Sequence, residues 1–225
     1  MAMQPPDIAW WQVPRCWPGQ TVALLGGGES LTTAQVNACR GVCRVVAINR
    51  AFRPAPWADW LWGCDADPHR FWGTHPDALE FDGVKIVIRG ARSVSRETLR
   101  SLDRLSQSGV RVLRHSARDY PAPSCVHEGM SPDPAVMRGN NALFQILSII
   151  VHTGAARVLL LGADMRGNHW HGGYKGQGQP NYAQSIIPPF ATLVRPLDAA
   201  GVDVVNCSPG SALQTFPQAA LGEVL

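Results

Sequence analysis

Seven short apolar runs punctuate the chain: Thr21–Leu25, Arg44–Ile48, Asp59–Cys64, Val84–Ile88, Val110–Leu113, Arg157–Leu161 and Val202–Val205. Each is too short for a helix and too continuous for a half-exposed strand, so each predicts a strand buried on both faces. Helical spacing lies between them. Ser30 stands where it can cap a helix from about Leu31 to Gly41. Residues 95–108 carry an amphipathic pattern that Gly109 stops. Asn140 or Asn141 opens a strongly apolar helix to His152, closed by Gly154, and a further helix is expected from about Asn181 through Leu197. This alternation predicts an α/β three-layer sandwich, with a mostly parallel sheet of about seven strands between helices. A length of 225 residues suits one domain, 1–225, and no internal repeat divides it.

Two segments escape the pattern. Residues 116–138 hold four prolines and few apolar positions, and residues 167–180 are rich in glycine. Long irregular loops in a compact domain are often functional, so both are expected to border an active site. The carboxyl ends of four predicted strands carry Asn49, Asp65, Asp164 and Asn206. In an open α/β sheet those ends gather along the edge where ligands are handled. Amides there can read a base or ribose, and a carboxylate can orient a hydroxyl, hold a divalent ion or act as a base.

Composition narrows the class without naming it. The apolar share of 45% is that of an ordinary globular protein, and the net charge of +3 is spread along the chain rather than gathered in a tract. A nucleic-acid partner is therefore not indicated. The six cysteines, mostly far apart, read as free thiols in a reducing compartment. No stretch has the length of a membrane span, the first residues lack the form of a signal peptide, and a cytoplasmic location is expected. Sequence leaves open whether copies of the chain associate.

Chemistry is densest after the sixth apolar run. Gly162-Ala163-Asp164-Met165 leads into a loop with His169, His171, Tyr174 and Lys175. Imidazole is the natural general base near neutral pH, and Tyr174 could meet a departing phosphate. A polar surface loop is the plain alternative. In an extended segment the two histidines face the same side, while in a loop that inference fails. The pair alone lacks a third ligand at metal spacing, and no metal site is read here.

Gly26-Gly27-Gly28-Glu29-Ser30 follows the first strand, where glycines allow close backbone approach and helix-start N–H groups attract anions. It lacks the Gly-Lys-Ser/Thr of a Walker loop, and Asn49 replaces the ribose-binding acid of a dinucleotide fingerprint. A ligand-free tight turn is the other reading. Trp57, Trp60, Trp62 and Trp72 stack on a base or sugar, or form local core, the second being favoured.

The order Gly26–Leu31, Asn49, the helix and strand ending at Asp164-Met165, the histidine loop and Asn206–Leu213 resembles a known group. It is similar to the CMP-sialic-acid-dependent bacterial sialyltransferases and to the related domain of archaeal 6-hydroxymethylpterin pyrophosphokinases and motility-associated glycosyltransferases. The resemblance implies a Rossmann-like fold across most of the chain. It implies donor contacts at Gly27, Asn49, Asn140, Asn141, Ser208 and Ser211, to which the loop and strand-end readings add Gly26, Gly28, Ser30, Asp65 and Asn206. Gly27 stands where those sialyltransferases have an asparagine, and Tyr174 is the single counterpart of their phosphate-binding tyrosines. The implied general base is His171, with His169 second, and Asp164 reads as the orienting or structural member.

The expected function is transfer from a nucleotide-activated donor to an unidentified acceptor. Glycosyl transfer of this type would require no cofactor. A pyrophosphokinase acting on a hydroxymethyl group would instead hold Mg²⁺ through Asp65 and Asp164. A non-catalytic domain binding a nucleotide or a protein is the competing class.

Overall fold

In the computed structural model, which describes residues 9–64, 66–89, 95–115, 129–172 and 181–225, the apolar runs form one sheet. Its eight strands are β1 (Thr21–Leu25), β2 (Arg44–Ile48), β3 (Trp60–Gly63), β4 (Val84–Arg89), β5 (Arg111–His115), β6 (Val136–Met137), β7 (Arg157–Leu161) and β8 (Asp203–Asn206). Their spatial order is β6-β5-β4-β3-β2-β1-β7-β8, and every pair is parallel. The architecture is α/β and Rossmann-like.

Strand alternation divides the core in two. Leu24, Val46, Trp62, Ile88 and Leu160 point to one face, where they meet α4 (Ala142–Leu147) and α5 (Ala191–Ala199). Leu25, Ala47, Leu61, Val87 and Leu161 point to the other, under α1 (Thr33–Cys39) and α3 (Arg96–Gln107). The tryptophans follow the same rule. Trp60 packs beside Trp17 at 4.1 Å on the first face, and Trp72 lies in the second core, donating to the Gly63 carbonyl at 3.2 Å. Trp57 is partly buried beneath Arg40. The tryptophans are packing residues.

Three local expectations are corrected. The eighth strand is β6, a two-residue edge strand inside the segment expected to be wholly irregular, paired as Arg114↔Val136 and His115↔Met137. Two residues leave no periodic trace. Ser30 does not cap α1: Thr32 does, its hydroxyl accepting from Gln35 N–H while Gln35 returns a bond to Thr32 N–H. The two apolar helices are interrupted. The first ends at Leu147 and resumes as a 3₁₀ turn over Ile150–Thr153, closed by Gly154 at φ 80°. The second opens with a π-turn at Tyr182–Ile186 and a 3₁₀ turn at Pro188–Phe190 before α5. Pro188 and Pro189 lack the N–H groups a continuous helix needs. Among the described residues no helix is long and apolar enough to cross a membrane.

Candidate active site

From β1 the chain builds outward to β6, then returns to place β7 on β1's other side. The order of strands therefore reverses between β1 and β7, and a crevice opens beyond their carboxyl ends. A cleft of about 730 Å³ lies there. It takes Gly26–Gly28 from the end of β1, Asn49 and Arg50 from the end of β2, and Asn140 and Asn141 from the start of α4. Asp164, His169 and His171 complete the lining beside them.

The glycine turn is shaped by its neighbour in the protein. Gly26 N–H donates to Leu161 O at 2.7 Å and Gly28 N–H to Gly162 O at 2.8 Å, joining the turn to the end of β7. A Cβ on Gly26 would lie 2.5 Å from Gly162 O, one on Gly27 2.5 Å from His169 Nδ1, and one on Gly28 2.5 Å from the Asp164 carboxyl carbon. The glycines border the cleft, but their closest approach is to the β7 loop rather than to open ligand space.

Asp164 locks the same junction. It is 7% exposed; one carboxylate oxygen accepts from Ser30 N–H at 2.9 Å and the other from the Ser30 hydroxyl. Its own carbonyl accepts from Ala212 N–H at 2.8 Å. Ser208 accepts from Ala163 N–H at 2.8 Å and Ser211 donates to Ala163 O at 2.6 Å. Asn206 closes a turn, accepting from Ser208 N–H and donating to Leu213 O. Asn206, Ser208 and Ser211 are thus buried braces behind the site and do not line the cleft. Ser30 is likewise committed to Asp164.

Asn49 ends β2 in the left-handed region at φ 49°, a conformation asparagine tolerates, and its side chain accepts from Cys64 N–H at 3.3 Å. Asn141 caps α4, accepting from Leu143 N–H at 3.0 Å. Both still face the cleft, as does Asn140. Asp65, Tyr174, Lys175 and most of the two expected active-site loops lie outside the described residues.

The histidine loop folds back on the glycine turn through a single antiparallel bridge, Gly28↔His169, with Trp170 N–H donating to Gly27 O at 3.0 Å. A turn over residues 169–172, closed by Gly172 N–H donating to His169 O at 2.8 Å, brings the two histidines together, their rings stacked at 5.0 Å and 20°. His169 Nδ1 lies 3.0 Å from Gly27 O. His171 Nδ1 lies 3.1 Å from an Arg50 guanidinium nitrogen. Burial, then the charge of Arg50, then His169 push the His171 ring down to about 4, so it is neutral at pH 7.

Arg50 and His75 are cleft-lining residues that sequence reading passed over. Arg50 had a usable signal, since it follows a strand-end asparagine directly. His75 had none: it ends a four-residue helix, α2 (Phe71–Thr74), stacks on Phe71 at 5.1 Å and lines the cleft. Arg50, Arg70, Arg166, His69, His75, His169 and His171 face the cleft, and Asp164 is the one carboxylate among its described lining residues. The cleft is basic.

No family model matches the sequence, and no curated protein matches it. Among solved structures, a MAf glycosyltransferase from Magnetospirillum magneticum AMB-1 is similar, with a TM-score of 0.63 at 12% identity over 97% of this chain. The likeness is one of fold. The matched region is 36% of that protein's chain, so the present chain corresponds to about a third of it.

Proposed function

We propose that this chain is a transferase acting on a nucleotide-activated donor, and in the first instance a glycosyltransferase. The observation that carries the reading is the cleft itself. It sits at the switch point of a parallel sheet, is lined by three arginines and four described imidazoles around one committed carboxylate, and has asparagine side chains at its margins. Cationic and N–H donors of this kind suit the phosphates of a nucleotide donor, and they stabilise charge that grows on a leaving phosphate. The fold-level likeness to a protein named as a glycosyltransferase supports the same choice.

The Mg²⁺-dependent pyrophosphokinase reading is less well supported, because both Asp164 oxygens already accept from Ser30. A thermal-shift screen of CMP, UDP, GDP and ATP species, each with and without Mg²⁺, tests the proposal. Stabilisation by one nucleotide-sugar class without Mg²⁺ is expected. Stabilisation by ATP only when Mg²⁺ is present would select the pyrophosphokinase instead. Turnover of a bound nucleotide sugar then separates an enzyme from a non-catalytic binder.

A further inference from the structure

At the other edge of the sheet, the amino ends of β1 and β2 border a second cavity of about 460 Å³, lined by Gln20, Thr21, Cys43, Arg44, Trp57 and Asp59. Its charged pair is already committed. Arg44 donates to Asp59 at 2.9 Å and to Gln20 at 2.7 Å, and the second Asp59 oxygen accepts from Val45 N–H at 2.8 Å. The nucleophile on its wall is Cys43, half-buried and carrying a free thiol.

Cys39, the last residue of α1, lies beside it and is fully buried. Cys43 N–H donates to Cys39 O at 3.3 Å across a turn that Gly41 makes at φ 74°, and Cys43 Sγ lies 3.8 Å from the same carbonyl. Residues four apart that share such a bond have Cα atoms about 6 Å apart, inside the span that a disulfide bridges. The two sulfurs are unlike. The hydrogen bond between them, then burial, raises Cys39 far above the ordinary thiol range, while the same bond lowers Cys43 against its own burial. Cys39 is thus the sulfur that stays protonated and donates, and Cys43 the one that ionises. Cys207, pushed up to about 11 by burial, lines neither cavity.

We propose that Cys43 and Cys39 form a reversible thiol switch: a hydroperoxide entering the second cavity oxidises Cys43, and Cys39 then closes a disulfide onto it. The Cys43 thiolate attacks one peroxide oxygen, the O–O bond breaks, and the departing hydroxide or alkoxide takes a proton from water. Cys43 is left as a sulfenic acid. Cys39 sulfur attacks Cys43 sulfur, the S–O bond breaks, and the hydroxyl leaves as water with the Cys39 proton. With hydrogen peroxide the sum is two thiols and one peroxide giving one disulfide and two waters. A dithiol reductant reverses it by exchange and is itself oxidised. The bond ties the end of α1 to the residue before β2. It rests on no reading of the cleft.

Reduced parent protein exposed to hydrogen peroxide, alkylated in denaturant and digested without reduction gives the test. Cleavage after Arg15, Glu29, Arg40 and Arg44 places Cys16, Cys39 and Cys43 on separate peptides, 16–29, 30–40 and 41–44. A linked pair of 30–40 with 41–44 is expected, from protein that runs as a single chain on a non-reducing gel. It should be absent before peroxide and lost after dithiothreitol. Peptide 41–44 joined to 16–29, or recovered alkylated or over-oxidised without the link, overturns the proposal. Dimedone present during the exposure reads the order of events: its adduct should fall on Cys43, and an adduct on Cys39 instead would reverse the two roles and sink the mechanism.

Discussion

Asp164 shows how one side chain can look catalytic in sequence and act as a brace. A carboxylate at a strand end beside histidines invites a chemical role, yet both its oxygens accept from Ser30 and it is nearly buried. Asp164→Asn keeps the shape but weakens charge-assisted bonds and faces one donor with another. A loss of about 1–3 kcal/mol in denaturant unfolding is expected, with Ser30→Ala costing less. Unchanged stability in Asp164→Asn would show that the carboxylate is free for chemistry. Arg50 makes a second residue-scale claim. Replacing it with Met removes one of the causes that lower His171, so the His171 titration followed by NMR should move up from about 4. The sign carries over to stability. A folded-state value below that of the unfolded chain means the unfolded state binds the proton more readily. The contribution is therefore fully present above the ordinary histidine range and is lost as pH falls toward about 4. In Arg50→Met that acid loss should be shallower; an identical pH profile of stability would show that Arg50 does not act on the ring.

Among the elements, the strands and α3 were legible because burial writes itself into sequence as apolar runs and helical spacing. Gly109 follows α3 at φ 78°, as the sequence pattern indicates, and Ser95 caps its start. What was not legible depends on long-range neighbours. Nothing near Ser30 announces a carboxylate 134 positions away, and nothing near Asn206 or Ser211 says that they brace the β7 loop from behind. The glycine turn was recognisable as a turn, but its reason was not, since the atoms that exclude a Cβ come from Gly162, Asp164 and His169. A pair of substitutions separates the two kinds of glycine. Gly26→Ala would press a methyl against the Gly162 backbone oxygen at 2.5 Å, and should cost about 1–3 kcal/mol in denaturant unfolding. Gly222→Ala, in the short helix α6 (Leu221–Val224), meets nothing within 4 Å and should be neutral or slightly stabilising. Equal effects at the two positions would mean that the β1–β7 junction is looser than its hydrogen bonds describe.

For the molecule as a whole, the reversal of strand order sets both the place and the electrostatics of the site. The ends of β1, β2 and β7 converge with the start of α4, so a ligand in the cleft touches segments from both sides of the sheet's midline. Binding there should stabilise the entire cooperative unit rather than one loop. At a free ligand concentration about 100 times its Kd the gain is about 2.7 kcal/mol, which corresponds to a rise in Tm of roughly 5 °C or more for a domain of this size. The basic lining adds a second condition. A nucleoside diphosphate should bind more weakly as ionic strength rises, because partly exposed arginines are screened within about a Debye length. The corresponding nucleoside, lacking the phosphates, should bind poorly at every salt concentration. Calorimetric titration of the two ligands across a salt series makes the comparison directly. Equal affinity for nucleoside and nucleotide, insensitive to salt, would place recognition in the asparagines and the aromatic lining and leave the arginines without a phosphate to hold.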